Sequence, residues 1–359
     1  MPTPNVFDVI VVYNSKTAIS ASTKSQDVIT PFKDNSSYNK AYGYFLKVCH
    51  AQHLTASFTT SSDIVGPGKF KSYWTYSDKI WTKHHSRCQT GQIFSKFSPT
   101  TIEGKRLRKL LFSSENVKPF NNLKVFELFF DKQKTYDQLS THAIPTIALP
   151  SSSLFDIRQT CDKLANIMGT HPHSDDFSDS IIMKDRYGAG GKNIYKFKST
   201  DTISISTIAA KNPTLSFIIQ PFAKFDKGYS FNKLASATDI RLIYLNGLII
   251  SCYLRIAKSG DYRCNQHQGG SMQYISVDQI PKAILVKAKQ IMQTLDKRSS
   301  LFTLDFIISN SGRPYFLEGN TGPGLNWDPD DQTDKLEAKK LITLIVKELS
   351  DRVVASRSN

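Results

Sequence analysis

Three oxygen-bearing side chains lie close together in the C-terminal part of the sequence. Asp305 lies in the apolar run LDFII, and Glu318 and Asn320 lie in PYFLEGN. The turn-forming residues 310–313 separate these runs, which predicts two antiparallel strands that bring the three side chains together. Two carboxylates and an amide oxygen are hard ligands that suit magnesium. The alternative is a strand aspartate paired with a lysine, although an apolar strand has little reason to bury a carboxylate unless a cation meets it.

A glycine-rich turn follows the apolar strand IIMK, which ends at Lys184. The stretch KDRYGAGGK contains Gly188, Gly190 and Gly191. Glycines let backbone N–H groups approach phosphate oxygens, and a neighbouring lysine adds positive charge. The order of residues fits neither a Walker A loop nor a dinucleotide fingerprint. The turn is therefore either a phosphate-binding loop or a plain hairpin turn.

Arginines recur in a third segment. Arg241 lies in DIR, and Arg255, Arg263 and Asn265 lie in RIAKSGDYRCN. Guanidinium groups can hold a carboxylate or stabilise phosphoryl charge through paired hydrogen bonds. Arginines on a solvated strand face are the alternative. Cys264 has no identifiable histidine partner, which argues against a cysteine nucleophile.

The predicted secondary structure places these motifs on strands and turns. Asn246-Gly247 joins the apolar runs 240–245 and 248–254 as the type I′ turn of a hairpin. Residues 7–13 predict a buried strand, and residues 153–167 an amphipathic helix capped by Ser152 or Ser153. The first 120 residues read as a small α/β domain.

Composition excludes several classes of protein. The 359 residues are 40% hydrophobic and 21% charged, which argues against disorder, collagen-like repeats and a disulfide scaffold. Five cysteines without close spacing, no bilayer-length apolar run and no signal-peptide pattern predict a cytoplasmic protein without a membrane association.

The charge is unusual. The net charge is +15, and residues 1–120 carry 16 basic and 7 acidic side chains. Such an excess suits nucleic acid, an acidic peptide, a phosphorylated ligand or an anionic membrane, or it serves only solubility.

The order of the motifs resembles the ATP-grasp ligases, and within them the ribosomal-protein glutamate ligases and bacterial glutathione synthetases. The matching stretches are residues 239–241, 255–270 and 317–325, and the likeness covers about 121–325. The resemblance implies the ATP-grasp fold, in which two α+β lobes sandwich ATP, preceded by a small α/β domain. The expected domains are an N-terminal domain over 1–120, a central lobe over 121–225 and a C-terminal lobe over 226–359.

The resemblance also implies roles for individual residues. The expected ATP-binding residues are Lys132, Lys184, Gly188, Gly190, Gly191, Gln220, Phe222 and Asp239. The expected catalytic residues are Arg241, Arg255, Arg263 and Asn265, and the expected metal ligands are Asp305, Glu318 and Asn320. The chain departs from the family at Gln220, where an acidic residue is usual, and over residues 223–238, which are basic and aromatic.

The implied activity is an ATP-dependent carboxylate–amine ligase with magnesium, or manganese in its place, and an acyl-phosphate intermediate. Its substrates would be an amino acid, a peptide or a protein, with an acidic peptide as a candidate for the basic N-terminal domain and a homo-oligomer as the candidate assembly. One alternative is an ATP-grasp kinase or phosphotransferase. The other is a nucleic-acid- or ribosome-binding protein that stacks bases on Tyr73, Trp74, Tyr76 and Trp81, unless that hairpin faces the core.

Overall fold

The computed structural model describes residues 3–229, 236–296 and 298–357. The strands are β1 Asn5–Val6, β2 Val9–Tyr13, β3 Ala56–Thr60, β4 Ile64–Gly66, β5 Lys69–Phe70, β6 Tyr73–Ser77, β7 Ile80–His84, β8 Cys88–Gln89, β9 Gln92–Lys96, β10 Lys118–Pro119, β11 Ile147–Ala148, β12 Phe177–Asp185, β13 Ile194–Lys198, β14 Phe217–Ala223, β15 Thr238–Leu245, β16 Leu248–Ile256, β17 Ser271–Tyr274, β18 Leu301–Ile308 and β19 Pro314–Asn320. The helices are α1 Ser36–Ala51, α2 Ile102–Leu111, α3 Leu123–Phe130, α4 Lys132–Leu139, α5 Leu154–Thr170, α6 Thr202–Lys211, α7 Lys282–Gln293 and α8 Gln332–Arg357. Within the described ranges, no helix combines the length and the apolar character needed to cross a membrane.

One compact unit contains Met1–Leu123, Ser299–Leu301 and Gly322–Asn359. Its larger sheet has the strand order β10-β9-β2-β3-β6-β7, and the strands from β10 to β3 run parallel. The first four residues of β2 are fully buried, as expected for a central parallel strand covered on both faces. The predicted strand over residues 7–13 and the small α/β fold around it are therefore confirmed.

The C-terminal helix α8 groups with this unit, whereas the predicted C-terminal lobe included it. Helix α8 packs on α1, and Arg352 Nη1 donates a 2.7 Å hydrogen bond to the carbonyl oxygen of Phe120. The segment before α8 is also fixed here, because Ser37 Oγ donates to the carbonyl oxygen of Trp327 at 2.5 Å. The chain thus returns to its N-terminal unit at residue 322. For residues before 322, the expected domain boundaries after residues 120 and 225 stay a prediction.

The aromatic hairpin β6–β7 faces the core of the first unit. Trp74 is fully buried, and Tyr73 and Trp81 are 5% and 8% exposed. The indole Nε1 of Trp74 donates a 3.0 Å hydrogen bond to the carbonyl oxygen of Ile19. These rings therefore offer no open stacking surface for nucleic-acid bases, and the core alternative holds.

The second unit contains Lys124–Arg298 and Phe302–Thr321. It has two sheets of different order, β11-β14-β12-β13 and β17-β16-β15-β18-β19. The pairs within the first sheet, and the pairs β17–β16, β16–β15 and β18–β19 of the second, are antiparallel. Helices α5 and α6 bury Ile157 and Ile205 against the first sheet, and α7 buries Ile284 and Ile291 against the second. These are the two α+β lobes that the sequence predicted.

Local signals in the sequence explain how several elements begin and end. Asn246 and Gly247 have φ angles of +50° and +87°, as the predicted type I′ turn requires. Ser153 accepts a hydrogen bond from the backbone N–H of Asp156, so it caps α5. The cap is therefore Ser153, and Ser152 lies outside it.

Candidate active site

The second unit contains an open cleft. Its walls come from both sheets and from the turns that follow β12 and β16. The predicted residues that line it are Lys132, Lys184, Gly188, Gly190, Gly191, Gln220, Phe222, Asp239, Arg255, Arg263, Asn265 and Glu318. Residues far apart in sequence thus meet in one concave site. The other predicted residues, Arg241, Asp305 and Asn320, lie on the strands behind the lining.

The glycine loop approaches the Asn265 segment closely. Gly190 and Gly191 have φ angles of +71° and +72°, a region that L side chains rarely adopt. A Cβ at position 191 would lie 2.7 Å from Asn265 Oδ1, whereas one at position 190 would contact only His267 at 3.5 Å. At Gly190 and Gly191, which line the cleft, no side chain of the loop covers the backbone.

The start of the loop is fixed to the beginning of α4. The guanidinium of Arg186 donates two 2.6 Å hydrogen bonds to the carboxylate of Asp131, which is also the N-cap of α4. The rings of Phe130 and Tyr187 stack with centroids 5.1 Å apart. These contacts between the loop and the start of α4 therefore fix the position of Lys132, the first residue of α4.

Two lysines face the cleft near the loop. Lys184 is 5% exposed, and burial lowers the pKa of its ammonium group to about 8, with Lys132 lowering it further and Glu318 opposing the shift. Lys132 Nζ donates a hydrogen bond to the carbonyl oxygen of Gly188. A desolvated lysine next to a second lysine and exposed loop backbone is an arrangement that favours a polyanionic ligand such as phosphate.

Arg241, Arg255, Asp239 and Asp305 form a buried network of ion pairs. Arg241 binds both carboxylate oxygens of Asp305, at 2.7 and 2.5 Å. Arg255 binds both oxygens of Asp239, at 2.6 and 2.9 Å, and also reaches Asp305 at 2.7 Å. The register explains the meeting, because Asp239 and Arg255 are directly paired on β15 and β16, next to β18 with Asp305.

The network keeps Asp305 ionised. Although burial opposes ionisation, the two arginines hold the pKa of Asp305 below its usual range, whereas burial raises the pKa of Asp239 to about 6 against the effect of Arg255. Removing Arg255 would leave the buried carboxylate of Asp239 without its arginine partner, which costs about 3–5 kcal/mol in comparable cases, whereas removing Arg241 would leave Asp305 with Arg255 alone. Both arginines therefore have a structural role, and their predicted catalytic role stays a prediction.

The predicted metal ligands lie on paired strands. Asp305 is opposite Glu318, and Thr303 is opposite Asn320, in the β18–β19 ladder. Glu318 lines the cleft, and its carboxylate makes no hydrogen bond or ion pair with the described residues, whereas both oxygens of Asp305 accept from arginines. Glu318 is therefore the carboxylate of the predicted set that is open to a hard cation such as magnesium, and the predicted set of three ligands stays a prediction. In the described ranges, no cluster of three or more His, Cys, Asp or Glu side chains could hold a metal ion. The predicted set has only two such side chains, Asp305 and Glu318, because its third member is an asparagine.

Two residues that contact the lining of the cleft were not predicted from the sequence. Lys196 Nζ lies 3.5 Å from the ring centroid of Phe222 and 5.7 Å from that of Tyr262. Asp261 binds the guanidinium of Arg263 at 2.9 and 3.1 Å, which orients this arginine. The short spacing of Asp261 and Arg263 could have indicated their pairing, but Lys196 required the strand β13, which the sequence did not predict.

Comparison with known proteins places the chain. A sequence model of the RimK-like ATP-grasp domain matches residues 130–345. The chain belongs to the RimK-like ATP-grasp family. It is 27% identical over 201 residues to a probable alpha-L-glutamate ligase of Maridesulfovibrio salexigens, an alignment that covers 56% of this chain and 59% of the relative. The chain therefore spans less than two thirds of that relative's length.

Solved structures superpose on nearly the whole chain. D-cycloserine synthetase DcsG superposes with a TM-score of 0.59 at 13% identity, covering 97% of this chain and 100% of that protein. An ATP-grasp ligase of Chryseobacterium gregarium, solved with ADP and a leader and core peptide, superposes with a TM-score of 0.53 at 11% identity, covering 96% and 97%. The ATP-grasp fold predicted from the sequence is confirmed, including the N-terminal domain.

Proposed function

We propose that this chain is an ATP- and magnesium-dependent ligase that joins a carboxylate to an amine and releases ADP and phosphate. The observation that carries the proposal is the cleft that gathers Lys132, Lys184, the glycine loop, Arg263 and Glu318. Membership of the RimK-like ATP-grasp family, whose name implies ATP, supports it.

The chemistry explains why such a cleft is needed. A carboxylate is a poor electrophile because its oxygen is a poor leaving group. Transfer of the terminal phosphoryl group of ATP to the carboxylate gives an acyl phosphate, and attack of an amine on its carbonyl carbon then expels phosphate and leaves an amide. The protein has to hold several mutually repelling anions in line and exclude water, since water would hydrolyse the acyl phosphate.

Each group of residues has a role in this proposal. Lys132, Lys184 and the backbone of the glycine loop hold the phosphates, and Gln220, Phe222 and Asp239 contact the nucleoside. Arg263, oriented by Asp261, and Asn265 neutralise and position the phosphoryl group during transfer. Arg241 and Arg255 bind the acyl or acceptor side in addition to their contacts with Asp305.

Magnesium fits next to these residues. Glu318, Asp305 and Asn320 would hold it, and when bound it would screen the negative charge of the phosphate oxygens. Manganese prefers similar oxygen ligands and is the natural substitute.

The substrates belong to the class of amino acids and peptides. The relative named above is called a glutamate ligase, and one structural neighbour was solved with a leader and core peptide. Because residues 1–120 are strongly basic, we further propose an acidic peptide as the acceptor that this domain recognises.

The test is an incubation of the protein with ATP, magnesium and pairs of amino acids or short peptides. We expect ADP, phosphate and a condensation product whose mass equals the two substrates minus water. Release of AMP and pyrophosphate would contradict the acyl-phosphate route. A phosphorylated acceptor without condensation would indicate an ATP-grasp kinase instead, and absence of nucleotide binding would refute the proposal altogether.

A further inference from the structure

Gln220 lies in the wall of the cleft, on strand β14. It lies on β14 opposite Ile182 of β12, and the pair Lys184 and Ile218 lies two residues nearer to the glycine loop. Beyond Gln220, the strand continues to Phe222, and the cleft wall there is apolar, with Ile144 and Leu317. Gln220 therefore stands at the boundary between the phosphate end of the cleft and the end suited to a base.

The orientation of the Gln220 amide follows from the position of one proton. Thr146 Oγ1 lies 2.9 Å from the carbonyl oxygen of Ile144, which can only accept, so the threonine hydroxyl donates its proton there. The same Oγ1 lies 2.6 Å from the end of the Gln220 side chain and must accept from it. Only the amide nitrogen Nε2 can donate, so Nε2 faces Thr146. The opposite orientation would bring two acceptors together.

The amide oxygen of Gln220 is consequently left for a ligand. Thr146 is buried and lines a smaller pocket next to the cleft, and Gln220 lines both spaces. With Nε2 held by Thr146, Oε1 makes no hydrogen bond with the described residues. An oriented acceptor at this point resembles a carboxylate in what it can bind, although the side chain carries no charge.

We propose that Thr146 is a positioning residue for base selectivity: it fixes Gln220 so that the cleft prefers adenine to guanine. This inference rests on the proposed nucleotide site. Adenine presents an exocyclic amine, a donor that matches Oε1, whereas guanine presents a carbonyl oxygen at the same ring position and would meet acceptor with acceptor. Without the threonine hydroxyl, the amide can turn and offer Nε2 to guanine.

The experiment compares the dissociation constants of ADP and GDP by calorimetry. The unmodified chain should prefer ADP, so the dissociation constant of GDP divided by that of ADP should exceed one. Thr146→Val keeps the shape of the side chain and removes the hydroxyl, and it should lower this ratio about tenfold, the change expected for one hydrogen bond. Thr146→Ser should retain the ratio. The double variant Thr146→Val with Gln220→Glu should regain it, because a carboxylate accepts in either orientation and needs no positioning.

The outcomes separate this inference from the function on which it rests. An unchanged ratio in Thr146→Val, or failure of Gln220→Glu to restore it, would overturn the inference while nucleotide binding stands. If Thr146→Val does not fold, Gln220→Met in the unmodified background decides, since loss of the acceptor should remove the preference and a retained preference would refute it. Failure of the unmodified chain to bind either nucleotide would refute the proposed function and this inference together.

Discussion

At the scale of single residues, the charged form of Lys184 is disfavoured by burial in the fold, and the phosphate groups of the proposed ligand would stabilise it. Burial lowers the pKa of Lys184 to about 8, so the folded chain binds this proton less tightly than the unfolded chain does. Unfolding therefore takes up a proton between about pH 8 and the ordinary lysine value, and this residue makes stability rise with pH across that window. At neutral pH, the buried charge is a cost.

We expect Lys184→Met to stabilise the chain and to prevent nucleotide binding. Removing the desolvated charge should raise the free energy of unfolding at pH 7 by about 1–3 kcal/mol, since one unit of pKa shift corresponds to about 1.4 kcal/mol. Urea unfolding at pH 7 and pH 9.5 measures this, and the gain should shrink at the higher pH. Lys198→Met, a change at an exposed lysine of the same unit, should leave stability and ADP affinity nearly unchanged. A destabilised Lys184→Met variant would contradict this account.

The carboxylate of Glu318 lines the cleft, interacts with Lys184 only at longer range and makes no hydrogen bond with the described residues. Glu318→Gln keeps the volume of the side chain and removes a hard ligand, so turnover should fall at least 100-fold while the unfolding transition moves little. Magnesium-dependent tightening of ADP binding, read by calorimetry, should disappear in the same variant. Glu127→Gln makes the same chemical change on an exposed face of α3 and should alter neither property. Normal turnover in Glu318→Gln would refute the metal assignment.

At the scale of structural elements, the glycine loop offers a matched pair of positions. Gly190 and Gly191 share the same left-handed backbone, but only position 191 approaches Asn265 within 2.7 Å. Gly190→Ala should therefore destabilise the ordered conformation of the loop only by the backbone strain, about 1–2 kcal/mol. Gly191→Ala adds a clash with Asn265 and should lower kcat at least tenfold more. Equal effects of the two substitutions on kcat would show that the contact with Asn265 has no part in turnover.

The same elements show what the sequence could predict. The strands around Asp305 and Glu318 and the Asn246-Gly247 turn follow from local patterns, because alternation, turn residues and caps act over a few positions. The Thr146–Gln220 contact joins residues 74 positions apart. It depends on how β11 and β14 pair, which no local pattern specifies. The buried arginines illustrate the same limit, since the sequence predicted a catalytic role for them, and their carboxylate partners became visible only once β15, β16 and β18 were seen side by side.

At the scale of the whole molecule, the grouping of α8 with the N-terminal unit had no sequence signal, since an amphipathic helix does not name the surface it covers. The charge is different, because it can be followed from sequence to surface. Of the 16 basic and 7 acidic side chains in residues 1–120, 13 and 5 are exposed. The surplus therefore lies on the surface, while Lys132, Lys184 and Arg263, which the proposed ATP site uses, all lie outside this range.

A surface of this charge should act on an acceptor through long-range attraction. We expect kcat/KM for an acidic acceptor peptide to fall with added salt, and kcat/KM for an uncharged peptide of equal length to change little, because at 0.15 M salt exposed charges interact over only about 8 Å. Lys69→Glu with Lys71→Glu reverses two exposed charges in this domain and should flatten the salt dependence for the acidic peptide. Lys282→Glu with Lys289→Glu, an equal change of net charge on exposed positions of α7, is the control. If both double variants flatten it equally, net charge alone is responsible; if neither peptide responds to salt, the N-terminal domain does not select an acidic acceptor.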